Sequence, residues 1–274
     1  MAMQDLWNKP LSEIRLFMEN IPVGGGHLPA ERRKIGGVPC DAFDPPDADE
    51  SKTILYFHGG GFCLGIYPSN REFVAVIAES ACIRTYLPDY RLAPENPFPA
   101  ALEDAESVLG DLLQSSGKLI VMGDSSGCAL ALSALLEFKN AETHLPAALV
   151  LITPMLDFAG QGESMRTREK TDPFQMKDPL SIANIYLGEN DPYSPAFSPI
   201  YGNPEGLPPM LVHAADNDVF LSDAYRLVQK AKDAGCKADL KVWPDMWHIF
   251  HMQAAVVPAA GQAMEEIYAF IRAL

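Results

Sequence analysis

Read for its apolar and polar positions, the chain alternates short apolar runs with longer amphipathic stretches. Thr53-Ile54-Leu55-Tyr56-Phe57 is a continuous apolar run of strand length, and 82–87, 118–122 and 147–153 are similar. Runs without polar alternation belong to strands covered on both faces. Between them, 71–81 (Phe73, Val74, Val76 and Ile77 inward) and 100–113 repeat with helical spacing. The order β, α, β, α, β with short turns predicts an α/β fold: a mostly parallel sheet with helices on both faces. Further strands are expected at 209–214 and 238–242, and a weaker antiparallel one around 36–43. A helix is predicted from Ser222, as N-cap, to Ala234, with Gly235 just past its end. An amphipathic helix over 262–274 closes the chain.

Two stretches leave this rhythm. Residues 5–20 pattern as a short amphipathic helix starting before Pro10 or just after it, and Ile21-Pro22-Val23-Gly24-Gly25-Gly26 ends it. His27 is expected on a surface loop. Between 155 and 195, a polar segment at 161–170 precedes two Pro-punctuated turns, Asp172-Pro173-Phe174 and Asp178-Pro179-Leu180. We therefore expect one domain over 1–274, with a helical cap formed by 1–35 and 155–195 over a core of 36–154 and 196–274. Phe62, Met155, Met165, Phe174, Met176 and Tyr186 suit the lining of an apolar pocket beneath such a cap, or equally its attachment.

Chemistry concentrates at three strand ends. The run 118–122 meets Gly123-Asp124-Ser125-Ser126-Gly127, and an Ala/Leu-rich helical pattern follows at once. Strand, Gly-x-Ser-x-Gly and helix in succession make a nucleophile elbow. The glycines keep Cβ atoms out of a sharp turn, and Ser125 sits strained at its apex. The amide of Ser126, at the helix start, is available to an anion. After the strand 53–57 comes His58-Gly59-Gly60-Gly61-Phe62, a glycine run that lets backbone amides approach a ligand, as in an oxyanion-hole loop. His58 reads as a brace of that loop, and the Asp89–Arg91 pair as a structural brace of the Pro-rich loop 88–99.

A serine hydroxyl needs a base, and that imidazole needs an acid to hold one tautomer. The acid is sought after the strand 209–214, among Asp216, Asp218 and Asp223. Asp223 falls on the helix, and Asp218 is preferred to Asp216 as the later residue of the turn. For the base, His248 in the loop after the last strand is preferred to His251, one turn further on; His144 and His213 read as structural.

The composition narrows the partners. With 36 acidic against 21 basic residues the formal charge is −15, which excludes nucleic acid and anionic membrane and favours a neutral small molecule. No His-Glu-x-x-His metal spacing and no Gly-x-Gly-x-x-Gly after the first strand is present, so neither metal nor cofactor is expected. Five scattered cysteines without a Cys-x-x-Cys pair read as small buried side chains in a reducing compartment. No basic, then apolar, opening and no bilayer-length run occurs, so we expect neither signal peptide nor span, and a soluble, cytoplasmic chain.

Nearly the whole chain resembles the hormone-sensitive lipase family of α/β-hydrolase carboxylesterases. The likeness is carried by His58-Gly59-Gly60-Gly61, Asp89-Tyr90-Arg91-Leu92-Ala93-Pro94-Glu95 with Pro97-Phe98-Pro99-Ala100, and Gly123-Asp124-Ser125-Ser126-Gly127, together with Ser198-Pro199, Leu207-Pro208-Pro209 and Trp247-His248. The resemblance implies an α/β-hydrolase fold with a cap. It implies Ser125 as nucleophile, His248 as base and Asp218, before Val219-Phe220-Leu221, as acid. It also implies the amides of Gly60, Gly61 and Ser126 as oxyanion donors. The chain departs from the family at Ser126, usually Ala, and at Cys128, usually Gly. The implied activity is hydrolysis of short- to medium-chain carboxylic esters through an acyl-enzyme. Amide, lactone or carbamate hydrolysis by the same triad is one rival. A non-enzymatic binder is the other, like a plant hormone receptor of this family that lacks the histidine. Assembly as a homodimer is left open.

Overall fold

The computed structural model describes residues 6–24, 28–140, 144–172 and 178–274. Its strands are β1 (Glu31–Ile35), β2 (Val38–Phe43), β3 (Lys52–Phe57), β4 (Thr85–Pro88), β5 (Lys118–Asp124), β6 (Ala148–Ile152), β7 (Met210–Ala215) and β8 (Ala238–Trp243). They form one sheet in the order β1-β2-β4-β3-β5-β6-β7-β8. β2 runs antiparallel to both β1 and β4, and every other pairing is parallel. The expected mostly parallel sheet is therefore present.

Within the apolar runs, alternate side chains go to opposite layers. Ile54, Tyr56, Ile120, Met122, Val150 and Ile152 pack with Phe73, Val74 and Ile77 of α2 (Pro68–Ala81) and with Met264 and Ile267 of α8 (Pro258–Arg272). Leu55, Phe57, Val121, Leu149, Leu151 and Val212 face α3 (Ala100–Ser115), α4 (Ser126–Asn140) and α7 (Leu221–Asp233). Both faces are closed, which is why these strands carry no polar positions.

Several boundaries differ from those predicted. β1 is not evident in the sequence because Glu31-Arg32-Arg33-Lys34-Ile35 is a polar edge strand. Its side chains pair instead, Arg32 with Asp41 at 2.8 Å and with Asp89, and Arg33 with Asp44 at 2.5 Å. Residues 31–35 thus belong to the sheet, not to the cap. Asp89 and Arg91 brace separate neighbours, because Arg91 turns to Glu103 and Asp104. The strand after α2 begins at Thr85, since Cys82 adopts φ 58 and caps that helix. Ser222 lies inside α7, which starts at Leu221 without a side-chain cap. Gly235, with φ 81, follows the helix end as predicted.

The segments outside the sheet rhythm lie against its loops. α1 (Leu11–Glu19) starts directly after Pro10. Arg15 on it donates to the carbonyls of Cys63 at 2.9 Å and Ala93 at 2.7 Å, and pairs with Glu95. In the insertion after β6, α5 (Ser164–Thr167) and α6 (Ser181–Leu187) are short. Tyr186 of α6 stacks on Phe62 at 4.4 Å, within a closed aromatic cluster that includes Phe158 and Phe197. Phe62 and Tyr186 are both buried in this cluster, which joins the insertion to the glycine loop. Met155 is buried as well, while Phe174, Met176 and His27 lie outside the described residues. No helix among the described residues is long and apolar enough to cross a membrane.

Ile120, in the middle of β5 and fully buried, tests this two-layer core. Ile120→Ala should cost about 2–5 kcal/mol. The expected result is a lower urea midpoint with an unchanged slope.

Candidate active site

The site lies where β5 gives way to α4. A Cβ on Gly123 would stand 2.8 Å from the Gly127 carbonyl, and one on Gly127 would stand 2.1 Å from the carbonyl oxygen of Phe57. Only glycine permits this approach of strand to helix. The chain reverses through Ser125, whose φ of 50 places a non-glycine residue in the left-handed region. β6 pins the strained residue: the Ser125 amide donates to Ile152 at 3.0 Å, and the Met155 amide donates to the Ser125 carbonyl at 3.2 Å. The Ser125 hydroxyl is thereby presented at the carboxyl edge of the sheet.

His248 meets it from the loop after β8. Its Nε2 lies 2.8 Å from Ser125 Oγ, and its Nδ1 lies 2.8 Å from Asp218 Oδ2. With Nδ1–H donating to the carboxylate, Nε2 is left to accept the serine proton. Asp218 stands in the turn between β7 and α7, buried, its other oxygen accepting the Phe220 amide at 2.8 Å. Of the three carboxylates considered, Asp218 alone bonds His248. Asp223 is buried on α7, where it accepts the amides of Leu156 at 2.8 Å and Asp157 at 3.0 Å. Asp216 lies in the turn, its amide bonded to the Trp243 carbonyl.

The histidines separate by environment. Burial alone would lower the pKa of His248. The charge and hydrogen bond of Asp218, with Asp172 and Asp124 adding, outweigh that and hold it above its ordinary 6.5. His251 is buried against His213, 3.2 Å away, and burial drives it well below the usual range. His213 is pushed down to about 3 and His58 to about 4, both by burial.

The glycine loop is braced from beneath. Asp124 Oδ1 accepts the hydroxyl of Tyr56 at 2.8 Å and the amide of Gly59 at 3.0 Å. A Cβ on Gly60, where φ is 114, would stand 2.7 Å from that of Leu64. His58 donates from Nδ1 to the Gly59 carbonyl at 2.7 Å and stacks on Tyr90 at 4.2 Å, a bracing part as expected. No acceptor among the described residues takes the amides of Gly60 or Ser126. Gly61 departs from the expected trio: its amide donates to the side-chain oxygen of Ser126 at 2.8 Å, a contact available because Ser stands where the family usually has Ala.

Further parts of the site were not singled out in the sequence. Thr153 Oγ1 accepts the Ile249 amide at 3.2 Å and steadies the His248 loop. Asp124 and Tyr56 hold Gly59, and Ser164 and Asp172 reach the turn carrying Asp218. Only Asp124 carried a local signal, being inside the elbow motif. No group of three or more His, Cys, Asp or Glu among the described residues could hold a metal ion.

A serine, a histidine and an aspartate from sequence-distant loops are joined in one hydrogen-bonded line beside two amides, an arrangement chemically suited to acyl hydrolysis. Comparison with known proteins agrees. Residues 54–252 match the family model of the alpha/beta hydrolase fold. An acetyl-hydrolase of Streptomyces hygroscopicus is 37% identical over 231 residues, 83% of this chain and 77% of that protein. An esterase of Acinetobacter venetianus is 33% identical, with 83% and 77% covered. The crystal structure of an esterase from the bacterial hormone-sensitive lipase family superposes with a TM-score of 0.92 at 35% identity, covering 99% of this chain and 95% of that one. The chain belongs to the α/β-hydrolase fold family, and within it to the hormone-sensitive lipase family.

The environments of the histidines predict their titration. In ring-proton NMR, His248 should protonate with a midpoint above 6.5, whereas His58 should stay neutral down to about pH 4. A His248 midpoint below that of a free imidazole would contradict the electrostatics described.

Proposed function

We propose that this chain, a carboxylic ester hydrolase by its family, works through Ser125 as nucleophile, His248 as general base and acid, and Asp218 as the acid that orients His248. The observation that carries this reading is the unbroken line from Asp218 through His248 to Ser125, with both contacts at 2.8 Å. His248 Nε2 takes the proton of Ser125 as Oγ attacks the ester carbonyl. The oxyanion falls to the amides of Gly60 and Ser126, each such donor contributing about 3 kcal/mol to the transition state. The amide of Gly61 joins them when the Ser126 hydroxyl turns aside. His248 gives its proton to the leaving alcohol, then draws one from water as the acyl-enzyme is hydrolysed.

The substrates we infer are short- to medium-chain esters. Ile182 of α6 stands against the loop, 2.9 Å from where a Cβ on Gly61 would be. It also lines a cavity of about 280 Å³ with Trp7, Leu11, Ile14 and Ile185. That cavity lies between α1 and α6 and is lined by none of Ser125, Asp218 and His248, so the inference of small acyl groups rests on the crowding of the glycine loop by Ile182. The reading includes the cap as 1–30 with 155–195, and a cytoplasmic location supported by five unpaired cysteines.

Hydrolysis of p-nitrophenyl acetate through decanoate tests the proposal. Turnover should be greatest on the shorter chains and fall by about 10⁴-fold or more in Ser125→Ala. No turnover on any ester, or full activity in the mutant, would overturn it; an amide, lactone and carbamate panel then separates the rival hydrolases from a binder. Since His248 must be neutral to act and its pKa is raised, kcat/KM should fall as pH drops through a value above 6.5. A rate flat down to pH 4.5 would remove His248 as the base.

A further inference from the structure

The insertion after β6 is fastened to the acid-bearing turn at one residue, Val219, which directly follows Asp218. Ser164 Oγ donates to the Val219 carbonyl at 2.7 Å, and the Val219 amide donates to Asp172 Oδ2 at 3.2 Å. Ser164 and Ser222 close the clamp with reciprocal amide-to-hydroxyl bonds of 2.7 and 2.8 Å. Asp172 is buried and bonded to the residue after Asp218, so the insertion adds a carboxylate to those of Asp218 and Asp124 around His248.

We propose that Asp172 is a positioning residue of the hydrolytic centre. It holds the turn of Asp218 through the Val219 amide, and its negative charge supports the imidazolium that forms when His248 takes the proton of Ser125. This inference rests on the proposed roles of those three residues. A buried carboxylate is costly to keep charged unless it has partners. An imidazole that must become a cation within the field of that carboxylate gains from the attraction, and more in the interior than in water.

Charged and polar groups reach His248 from several elements. Asp218 contacts Nδ1 from the β7 turn, and Ser125 contacts Nε2 from the elbow. Asp124, beneath the elbow, adds negative charge, as Asp172 does from the insertion. Phe220 presents its ring at 5.2 Å, and His251 lies behind in the same loop, neutral against His213. Asp218 and Asp124 each have local duties, to the tautomer and to Gly59. Asp172 alone comes from outside the sheet's own loops.

Three variants separate charge from anchorage. Asp172→Asn keeps an acceptor for the Val219 amide and loses the charge. Asp172→Glu keeps the charge. Ser164→Ala breaks the other Val219 bond and touches no charge. In Asp172→Asn the acid limb of kcat/KM should move to lower pH by about half a unit or more, with kcat reduced. In the Glu and Ser164→Ala variants the limb should stay in place, even where Ser164→Ala lowers kcat or thermal stability by loosening the turn. An unmoved limb in Asp172→Asn, or an equal shift in Ser164→Ala, would overturn the proposal and leave Asp172 an anchor of the insertion. If the Asn variant does not fold, the Glu variant decides: a wild-type limb supports the role of charge, and a displaced one rejects it. Ser125→Ala is run alongside, because activity surviving there removes the triad itself rather than the part given to Asp172.

Discussion

The contact on which the rest of this molecule depends is backbone against backbone, where β5 turns into α4 under the end of β3. Gly127 lies so close to Phe57 that no side chain fits between them, and a Cβ on Gly123 would in turn crowd the Gly127 carbonyl. Any wider turn would lower Ser125 into the sheet and swing the first amides of α4 away from it. The approach forces Ser125 into a left-handed conformation, which costs on the order of 1–3 kcal/mol. Its hydrogen bonds to β6 on either side of the turn hold it there. Strain and position are thus two aspects of one packing decision.

Around that point, each neighbouring strand end contributes one polar element, and each is held by the next. Asp124 is fixed by Tyr56 and fixes Gly59, so the glycine loop after β3 is set by the elbow of β5. Thr153, after β6, holds the amide of Ile249 and thereby the loop of His248. The same low-dielectric interior disfavours the charged form of every one of these histidines, and only at His248 do neighbouring carboxylates outweigh it. It pushes His58, His213 and His251 toward neutrality, while His248, facing Asp218, is held upward. Environment, not residue type, separates His248 from its neighbours.

The segments outside the sheet are bound to this centre at defined places. Arg15 joins α1 to the loops carrying Cys63 and Ala93, Tyr186 stacks on Phe62 next to the glycine loop, and Ser164 and Asp172 grip Val219. The insertion thereby bonds the backbone of the residue that follows Asp218.

The sequence by itself determined the sheet and the local turn. Its apolar runs predict strands because a strand covered on both faces has no place for polar residues, and β5, β6 and β7 follow those runs closely. The elbow was legible because its chemistry is local: five consecutive residues contain both the glycines and the serine. β1 was not legible, since an edge strand held by arginine–carboxylate pairs carries no hydrophobic period. Tertiary structure alone decided which of Asp216, Asp218 and Asp223 meets His248, and which histidine meets Ser125, because these depend on side chains converging from loops far apart in sequence. It also decided that the Gly61 amide meets the Ser126 hydroxyl, and that Asp172 reaches the turn of the acid. Periodicity reports what a residue's own segment buries; it carries no record of the partner that another segment brings.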